Sequence, residues 1–151
     1  MHCVKKVKED IYYVGGSDRR LGLFENVYPI PYGITYNSYL LMDDKKVLMD
    51  TVDRSISQQF LENIEYVLGN ESLDYLVIQH MEPDHCSMVS CLLQRYPDLK
   101  IVGNMQVKKM LKQFFDLNLD NYLEVKENDT LNTGRHTLKF ISAPMVHWPE
   151  V

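Results

Sequence analysis

Residues 73–78 form a short segment that is apolar at every position except Asp74 and Tyr75. This pattern is typical of a β-strand buried on both faces, because a strand with one face in water alternates apolar and polar residues. A polar loop follows the segment directly. Functional groups often collect in the loops at the ends of buried strands, so the segment predicts both a central strand and a candidate functional loop.

The first part of the chain is predicted to be built from strands. They are expected at residues 4–7, 10–14, 35–42 and 46–50. The last two form a hairpin across the turn Asp43-Asp44. Residues 17–33 are punctuated by proline and glycine and are predicted to be irregular.

The second part of the chain alternates helices and strands. Helices are predicted at residues 55–68, 84–96 and 104–115, and strands at 73–78, 100–102, 122–125 and 137–142. Asp84 and Asn104 are the expected N-caps of the last two helices. An antiparallel start followed by this alternation predicts a mixed sheet with helices on a face.

Size and charge disfavour several classes of function. The chain has 151 residues, which suits one domain or part of a larger one. Its net charge is −5 without a basic stripe, so a nucleic-acid partner is disfavoured. No apolar run approaches the roughly 18 residues of a membrane helix, and residues 1–6 lack the apolar core of a signal peptide. A cytoplasmic protein with no membrane partner is therefore expected. The three cysteines are expected to be reduced thiols.

The loop after segment 73–78 contains the candidate metal ligands. Residues 79–85 read Gln-His-Met-Glu-Pro-Asp-His and include His80, Glu82, Asp84 and His85. In an extended loop, residues two apart project to the same side, so the first three can converge on one point. Asp84 and His85 are adjacent and diverge toward a second point, so the loop can serve two ions roughly 3.5–4 Å apart. A solvated polar turn is the alternative, which so dense a set of ligand-type residues disfavours.

His147 is a further candidate ligand. It follows an apolar strand segment and lies in a loop stiffened by Pro144 and Pro149. An isolated histidine in such a place is more often structural. Beside the loop at 79–85, His147 is a natural ligand for the first metal ion.

The ligand types limit the choice of metal. Two imidazoles with carboxylates and no thiolate suit iron or manganese as well as zinc. Zinc hydrolases tend toward more imidazole. Glu82 adds negative charge and therefore favours a redox-active ion.

The chain resembles the flavodiiron (A-type flavoprotein) family. The resemblance rests on the pattern His80-x-Glu82-x-Asp84-His85 and on His147 within Met-Val-His-Trp-Pro, and it extends to residues 13–20, 24–31, 36–39 and 133–137. In the metallo-β-lactamase superfamily the position of Glu82 is usually histidine. Glutamate at that position separates diiron oxidoreductases from zinc hydrolases.

The resemblance implies the fold and the site. It implies an αββα metallo-β-lactamase-like sandwich with mixed sheets, of which residues 1–151 form roughly the first half plus a strand. His80, Glu82 and His147 would bind one iron, and Asp84 and His85 the other. A bridging aspartate, a last histidine and a flavodoxin-like FMN domain are expected beyond Val151.

The resemblance also implies an activity and partners. The complete protein would reduce dioxygen to water or nitric oxide to nitrous oxide, with electrons from FMN and a rubredoxin-type donor. A head-to-tail homodimer or tetramer is implied. Two alternatives stay open: a dinuclear zinc hydrolase, and an inactive truncated chain with an exposed apolar sheet face that does not hold two irons tightly.

Overall fold

The computed structural model describes residues 2–151. Its strands are β1 (Lys5–Lys6), β2 (Ile11–Tyr13), β3 (Gly16–Asp18), β4 (Leu23–Phe24), β5 (Tyr28–Pro29), β6 (Ile34–Tyr36), β7 (Tyr39–Met42), β8 (Lys46–Met49), β9 (Tyr75–Val77), β10 (Lys100–Gly103), β11 (Tyr122–Glu124), β12 (Thr130–Asn132) and β13 (Thr137–Lys139). The helices are α1 (Ser57–Leu68), α2 (Pro83–Cys86), α3 (Val89–Arg95) and α4 (Met105–Phe114), with a 3-10 turn at Arg54–Ile56.

The main sheet has the strand order β1-β2-β7-β8-β9-β10-β11. Pairing is antiparallel from β1 to β8 and parallel from β8 to β11. The predicted β7–β8 hairpin and the predicted mixed sheet are therefore confirmed. Because β8, β9 and β10 run in the same direction, their carboxyl ends meet at one edge, and the loop at 79–85 leaves from that edge.

Helices cover one face of the main sheet. The apolar positions Phe60, Ile64 and Leu68 recur every four residues on one side of α1 and are buried. They belong to one core with side chains of α3, α4 and the sheet, among them Leu40, Leu48, Leu76 and Ile101. Full burial of each such side chain contributes about 1.5–3 kcal/mol, so packing rather than local propensity holds these short helices.

The hairpin β12–β13 packs against the opposite face of the main sheet. Leu131, Leu138 and Phe140 of this region are partly buried against sheet side chains that include Val47 and Val102. A groove of about 400 Å³ runs along β13, and Ile141, which lines it, is 72% exposed. This face of the sheet is therefore covered in part by the hairpin and in part by the open groove.

Asp43 connects the turns of two hairpins. It lies in the β7–β8 turn, where its carboxylate accepts hydrogen bonds from Thr133 Oγ1 at 2.8 Å, Arg135 N at 3.0 Å and His136 N at 2.8 Å. Burial raises the pKa of Asp43, but these hydrogen bonds outweigh burial and hold the pKa well below its usual range. The carboxylate thus ties β12–β13 to the main sheet.

The strand predicted at 35–42 is divided in the structure. β6 pairs with β3 in a separate two-stranded sheet, whereas β7 pairs with β2 and β8 in the main sheet. The division lies near Ser38, whose carbonyl accepts from Val14 N and whose hydroxyl donates to the Asp50 carbonyl. The segment predicted to be irregular, 17–33, also contains the short antiparallel pair β4–β5. Strand propensity does not reveal such changes of partner.

The helix predicted at 84–96 is also divided, and Asp84 is not its N-cap. Glu82 occupies the N-cap position of α2 and Pro83 its first turn, where the missing N–H of proline costs nothing. Between α2 and α3, Ser87 Oγ donates to the Val52 carbonyl and Met88 N donates to Thr51 Oγ1. These tertiary hydrogen bonds accompany the break. Asn104, by contrast, caps α4 as predicted.

No helix within residues 2–151 combines the length and apolar character needed to cross a bilayer.

Candidate metal centre

Two loops bring three candidate ligands together. His80 and Glu82 lie between β9 and α2, and His147 lies in the loop that follows β13. That second loop is folded back on itself, because Met145 N donates to the Trp148 carbonyl and Ala143 N donates to the Val151 carbonyl. The rings of His80 and His147 are 4.8 Å apart between centroids.

The donor atoms of these residues form a nearly equilateral triangle. His80 Nε2 is 3.1 Å from Glu82 Oε2 and 3.2 Å from His147 Nε2, and the third side, from His147 Nε2 to Glu82 Oε2, is 3.2 Å. Adjacent donors around an ion with bonds of about 2.1 Å lie about 3.0 Å apart in octahedral and about 3.4 Å apart in tetrahedral geometry. The triangle therefore has the dimensions of one face of a metal coordination sphere.

The chemistry of the set agrees with its dimensions. Two imidazoles and one carboxylate on a single face are the ligand set of non-haem Fe(II) sites that keep open positions for substrate. The side chains of His80 and Glu82 are 9% and 15% exposed, whereas that of His147 is 66% exposed. The cluster is thus anchored on its buried side and open toward solvent beside His147.

Asp84 and His85 form a second, smaller set beside the first. His85 Nε2 lies 3.6 Å from Asp84 Oδ2, and the rings of His80 and His85 are 5.0 Å apart. Asp84 Oδ1 is buried without a hydrogen-bond partner in the described part of the chain, and burial raises the pKa of Asp84. Among the described residues the cluster contains His80, Glu82 and His147 but not Asp84, so the expected convergence of Asp84 with His80 and Glu82 is not seen. The second set offers two donors within residues 2–151.

Asp50 supports the second set and was not anticipated from the sequence. Its Oδ2 accepts a hydrogen bond from His85 Nδ1 at 2.9 Å. Burial lowers the pKa of His85, but the hydrogen bond to Asp50 and its charge outweigh burial, and the pKa is raised. The sequence did contain a signal for this role, because Asp50 is an acidic residue directly after strand β8. The neighbouring parallel strands β8 and β9 end at the same edge of the sheet, which places Asp50 beside the loop after β9.

Glu150 supports the first set and was also not anticipated. Its carboxylate lies 2.8 Å from His80 Nδ1 and accepts a hydrogen bond from Met81 N, also at 2.8 Å. Glu150 is 1% exposed. Its position three residues after His147 carried no pattern that would have identified it.

The β4–β5 turn adds further negative charge near the cluster. Burial raises the pKa of Glu25 in this turn, and the charges of Glu82 and Asp84 raise it further. Glu25 is therefore within range of the charges of both ligand sets.

The chain matches a known domain family over most of its length. The matching family model is described as ODP family beta lactamase and covers residues 34–151.

Curated relatives match almost the whole chain. The flavo-diiron protein FprA2 of Clostridium acetobutylicum is 36% identical over 146 residues, which are 96% of this chain and 36% of that protein. The anaerobic nitric oxide reductase flavorubredoxin of Vibrio vulnificus is 35% identical over 146 residues, or 95% of this chain and 30% of that protein. The chain spans about a third of the length of these relatives.

A solved structure shows the same fold. The rubredoxin oxygen:oxidoreductase of Desulfovibrio gigas superimposes with a TM-score of 0.91 at 32% identity, over 98% of this chain and 37% of that chain. The expected metallo-β-lactamase-like fold with mixed sheets is therefore confirmed for the part of that fold that this chain covers.

Proposed function

Because the chain belongs to the ODP family of beta-lactamase-like domains, we propose that it supplies iron ligands to a diiron site that reduces dioxygen or nitric oxide. The observation that carries the proposal is the triangle of His80 Nε2, Glu82 Oε2 and His147 Nε2, with sides of 3.1–3.2 Å. These residues would hold one iron. Asp84 and His85 would hold the second, together with ligands outside the two sets.

The bound irons would polarise a diatomic substrate and supply electrons to it. The protein's own residues orient and shield the site. Glu82 brings negative charge to a largely buried position, which favours an ion that can be oxidised. The ring of Trp148 meets the ring of His80 edge-on at 5.2 Å and covers it on one side. The exposed side of His147 leaves an approach for a small molecule.

The relatives support the choice of substrates and electron carriers. The Vibrio vulnificus protein is named a nitric oxide reductase flavorubredoxin, and the Desulfovibrio gigas protein is named a rubredoxin oxygen:oxidoreductase. By analogy with these relatives, we propose dioxygen or nitric oxide as the substrate and a rubredoxin-type protein as the electron donor. We further propose that the complete protein binds FMN in a flavodoxin-like domain. We also propose that it assembles as a head-to-tail homodimer or tetramer.

Metal binding is tested on the 151-residue chain. Purified protein is titrated anaerobically with Fe(II) and with Zn(II), beside the variants His147→Ala and His136→Ala. His136 pairs with Asp10 away from the triangle and serves as the matched control. We expect His147→Ala to weaken Fe(II) binding by about tenfold or more, in line with the loss of a metal ligand, and His136→Ala to leave it unchanged. Equal Fe(II) affinity in the parent chain and both variants would contradict the proposal that His147 is an iron ligand.

Activity is tested on a longer protein that contains this sequence and binds FMN. With iron, FMN and reductant supplied, it should consume dioxygen or nitric oxide. An iron- and FMN-loaded protein that consumes neither gas contradicts the proposed reaction. Preferential binding of two Zn(II) ions together with hydrolytic activity would favour the zinc hydrolase instead.

A further inference from the structure

We infer that Glu150 is a positioning residue that holds the His80 ring in the orientation and tautomer needed to bind the metal, an inference that rests on the proposed iron site.

The tautomer follows from the hydrogen bonds of one oxygen atom. Glu150 Oε1 accepts a hydrogen bond from Met81 N at 2.8 Å and lies 2.8 Å from His80 Nδ1. A carboxylate oxygen accepts hydrogen bonds, so Nδ1 must carry the proton in this contact. The lone pair of neutral His80 is then on Nε2, the atom that faces Glu82 and His147 at 3.1 and 3.2 Å.

Glu150 also connects the segments that carry the three ligands. It lies in the loop of His147, and its side chain binds both the ring of His80 and the backbone of Met81. Its own carbonyl accepts a hydrogen bond from Asn104 Nδ2 at 2.6 Å, and Asn104 caps α4. One residue therefore sets the distance between two loops whose ligands are 67 positions apart in sequence.

The charge of Glu150 is suited to a cation beyond the imidazole ring. Its other oxygen, Oε2, is buried without a hydrogen-bond partner in the described residues, and such burial of a carboxylate costs free energy. A cation bound to His80 Nε2 would offset this cost by attracting the Glu150 carboxylate across the imidazole ring. Metal-ligating histidines commonly donate their second N–H to a carboxylate, which raises the basicity of the ligating nitrogen.

Two variants separate charge from hydrogen bonding. Glu150→Gln keeps an oxygen that can accept from His80 Nδ1 and Met81 N but removes the charge, whereas Glu150→Leu removes both. Glu124→Gln, at an exposed position on β11, is the matched control. Metal affinity is measured by anaerobic titration with Co(II) as the probe, and the His80 tautomer is measured by long-range proton–nitrogen NMR of the metal-free chain.

For Glu150→Gln we expect an unchanged tautomer and Co(II) binding weakened by about tenfold. For Glu150→Leu we expect loss of the Nδ1–H preference and Co(II) binding weakened by about 100-fold. Glu124→Gln should match the parent chain. A residue with a purely structural role would leave Co(II) affinity unchanged in Glu150→Gln, which keeps the hydrogen bonds.

The results also distinguish this inference from the proposed function. If the parent chain binds no Co(II) but Glu150→Leu alters the tautomer, the metal site fails and the positioning role stands. If the parent chain binds Co(II) while Glu150→Gln binds within twofold of it, the positioning role is overturned. This second comparison decides the matter even if Glu150→Leu does not fold. If the parent chain has no Co(II) affinity and the His80 tautomer is unchanged in Glu150→Leu, the positioning role of Glu150 is also overturned.

Discussion

Asp50 Oδ2 lies 2.9 Å from His85 Nδ1, although the two residues are 35 positions apart in sequence. The other carboxylate oxygen of Asp50 accepts from Gln79 N at 2.7 Å, and Gln79 Nε2 donates to Oδ2 at 3.1 Å. Asp50 thus holds both ends of the ligand loop at 79–85. It does so from a left-handed backbone conformation, with φ of 56°. Strained backbone of this kind persists where surrounding structure determines it, often at functional sites.

Replacing Asp50 should therefore destabilise the metal-free chain. Asp50→Ala leaves the Gln79 N–H and His85 without their acceptor, and each buried donor left unpaired costs about 1–3 kcal/mol. We expect the free energy of unfolding to fall by about 2 kcal/mol or more in urea titrations. Asp116→Ala, at an exposed aspartate, should change it by less than about 0.5 kcal/mol. A similar small change in Asp50→Ala would show that the loop is held by other contacts.

Leu76 is fully buried in β9, the strand that leads to His80, and its packing therefore supports the ligand loop. Leu76→Ala should lower the free energy of unfolding by about 2.7–5 kcal/mol, through lost apolar contact and the cavity that remains. Leu123→Ala is the matched control on β11, where the side chain is partly exposed and the cost should be smaller. Equal losses in the two variants would mean that β9 is not the core strand described above.

The hydrogen bonds of Asp43 predict a pH dependence. The folded pKa of Asp43 is below the unfolded value of about 3.9, so its contribution is present at neutral pH and is lost as the pH falls through the folded pKa. Asp43→Asn should be less stable than the parent chain at pH 7, and the difference should narrow toward pH 3. Urea midpoints at the two pH values measure it, with the exposed neighbour variant Asp44→Asn as control. A difference that stays constant with pH would contradict the assigned role of the carboxylate charge.

We expect Glu82 to determine which metal the proposed site prefers. Glu82→His replaces a carboxylate by a third imidazole in the triangle and should raise the ratio of zinc to iron in purified protein. In the longer FMN-binding protein the same change should abolish gas consumption, because zinc has no redox chemistry. Metal analysis and gas uptake are the two measurements. If the Glu82→His variant consumes gas as fast as the parent protein, the proposed role of Glu82 is wrong.

The number of donors predicts the stoichiometry. The triangle offers three donors, whereas Asp84 and His85 offer two within residues 2–151. We expect one tightly bound Fe(II) per 151-residue chain and a second, if any, held much more weakly. Anaerobic titration followed by gel filtration and iron analysis measures this. Two retained irons per chain would mean that the second set is completed by residues not identified above.

Local sequence patterns were sufficient for several elements. The apolar run at 73–78 became the buried strand β9, the pair at 35–42 and 46–50 contained the hairpin β7–β8, and Asn104 capped α4. The residue types and spacing at 79–85 predicted that His80, Glu82 and Asp84 converge, and the structure brings the first two together but leaves Asp84 outside the cluster. Such features depend on interactions between residues close in sequence, where periodicity and capping act directly.

The sequence predicted that His147 lies beside that loop, but only the tertiary structure showed how His147 reaches it and that Asp50 and Glu150 join it. His147 reaches His80 because the loop after β13 folds back toward the carboxyl edge of the parallel strands, and Asp50 and Glu150 are placed by the same convergence. The division of residues 35–42 between two sheets likewise depends on partners at β3 and β2. Contacts of this kind arise from the packing of whole strands and loops, which no pattern within a single segment of the sequence records.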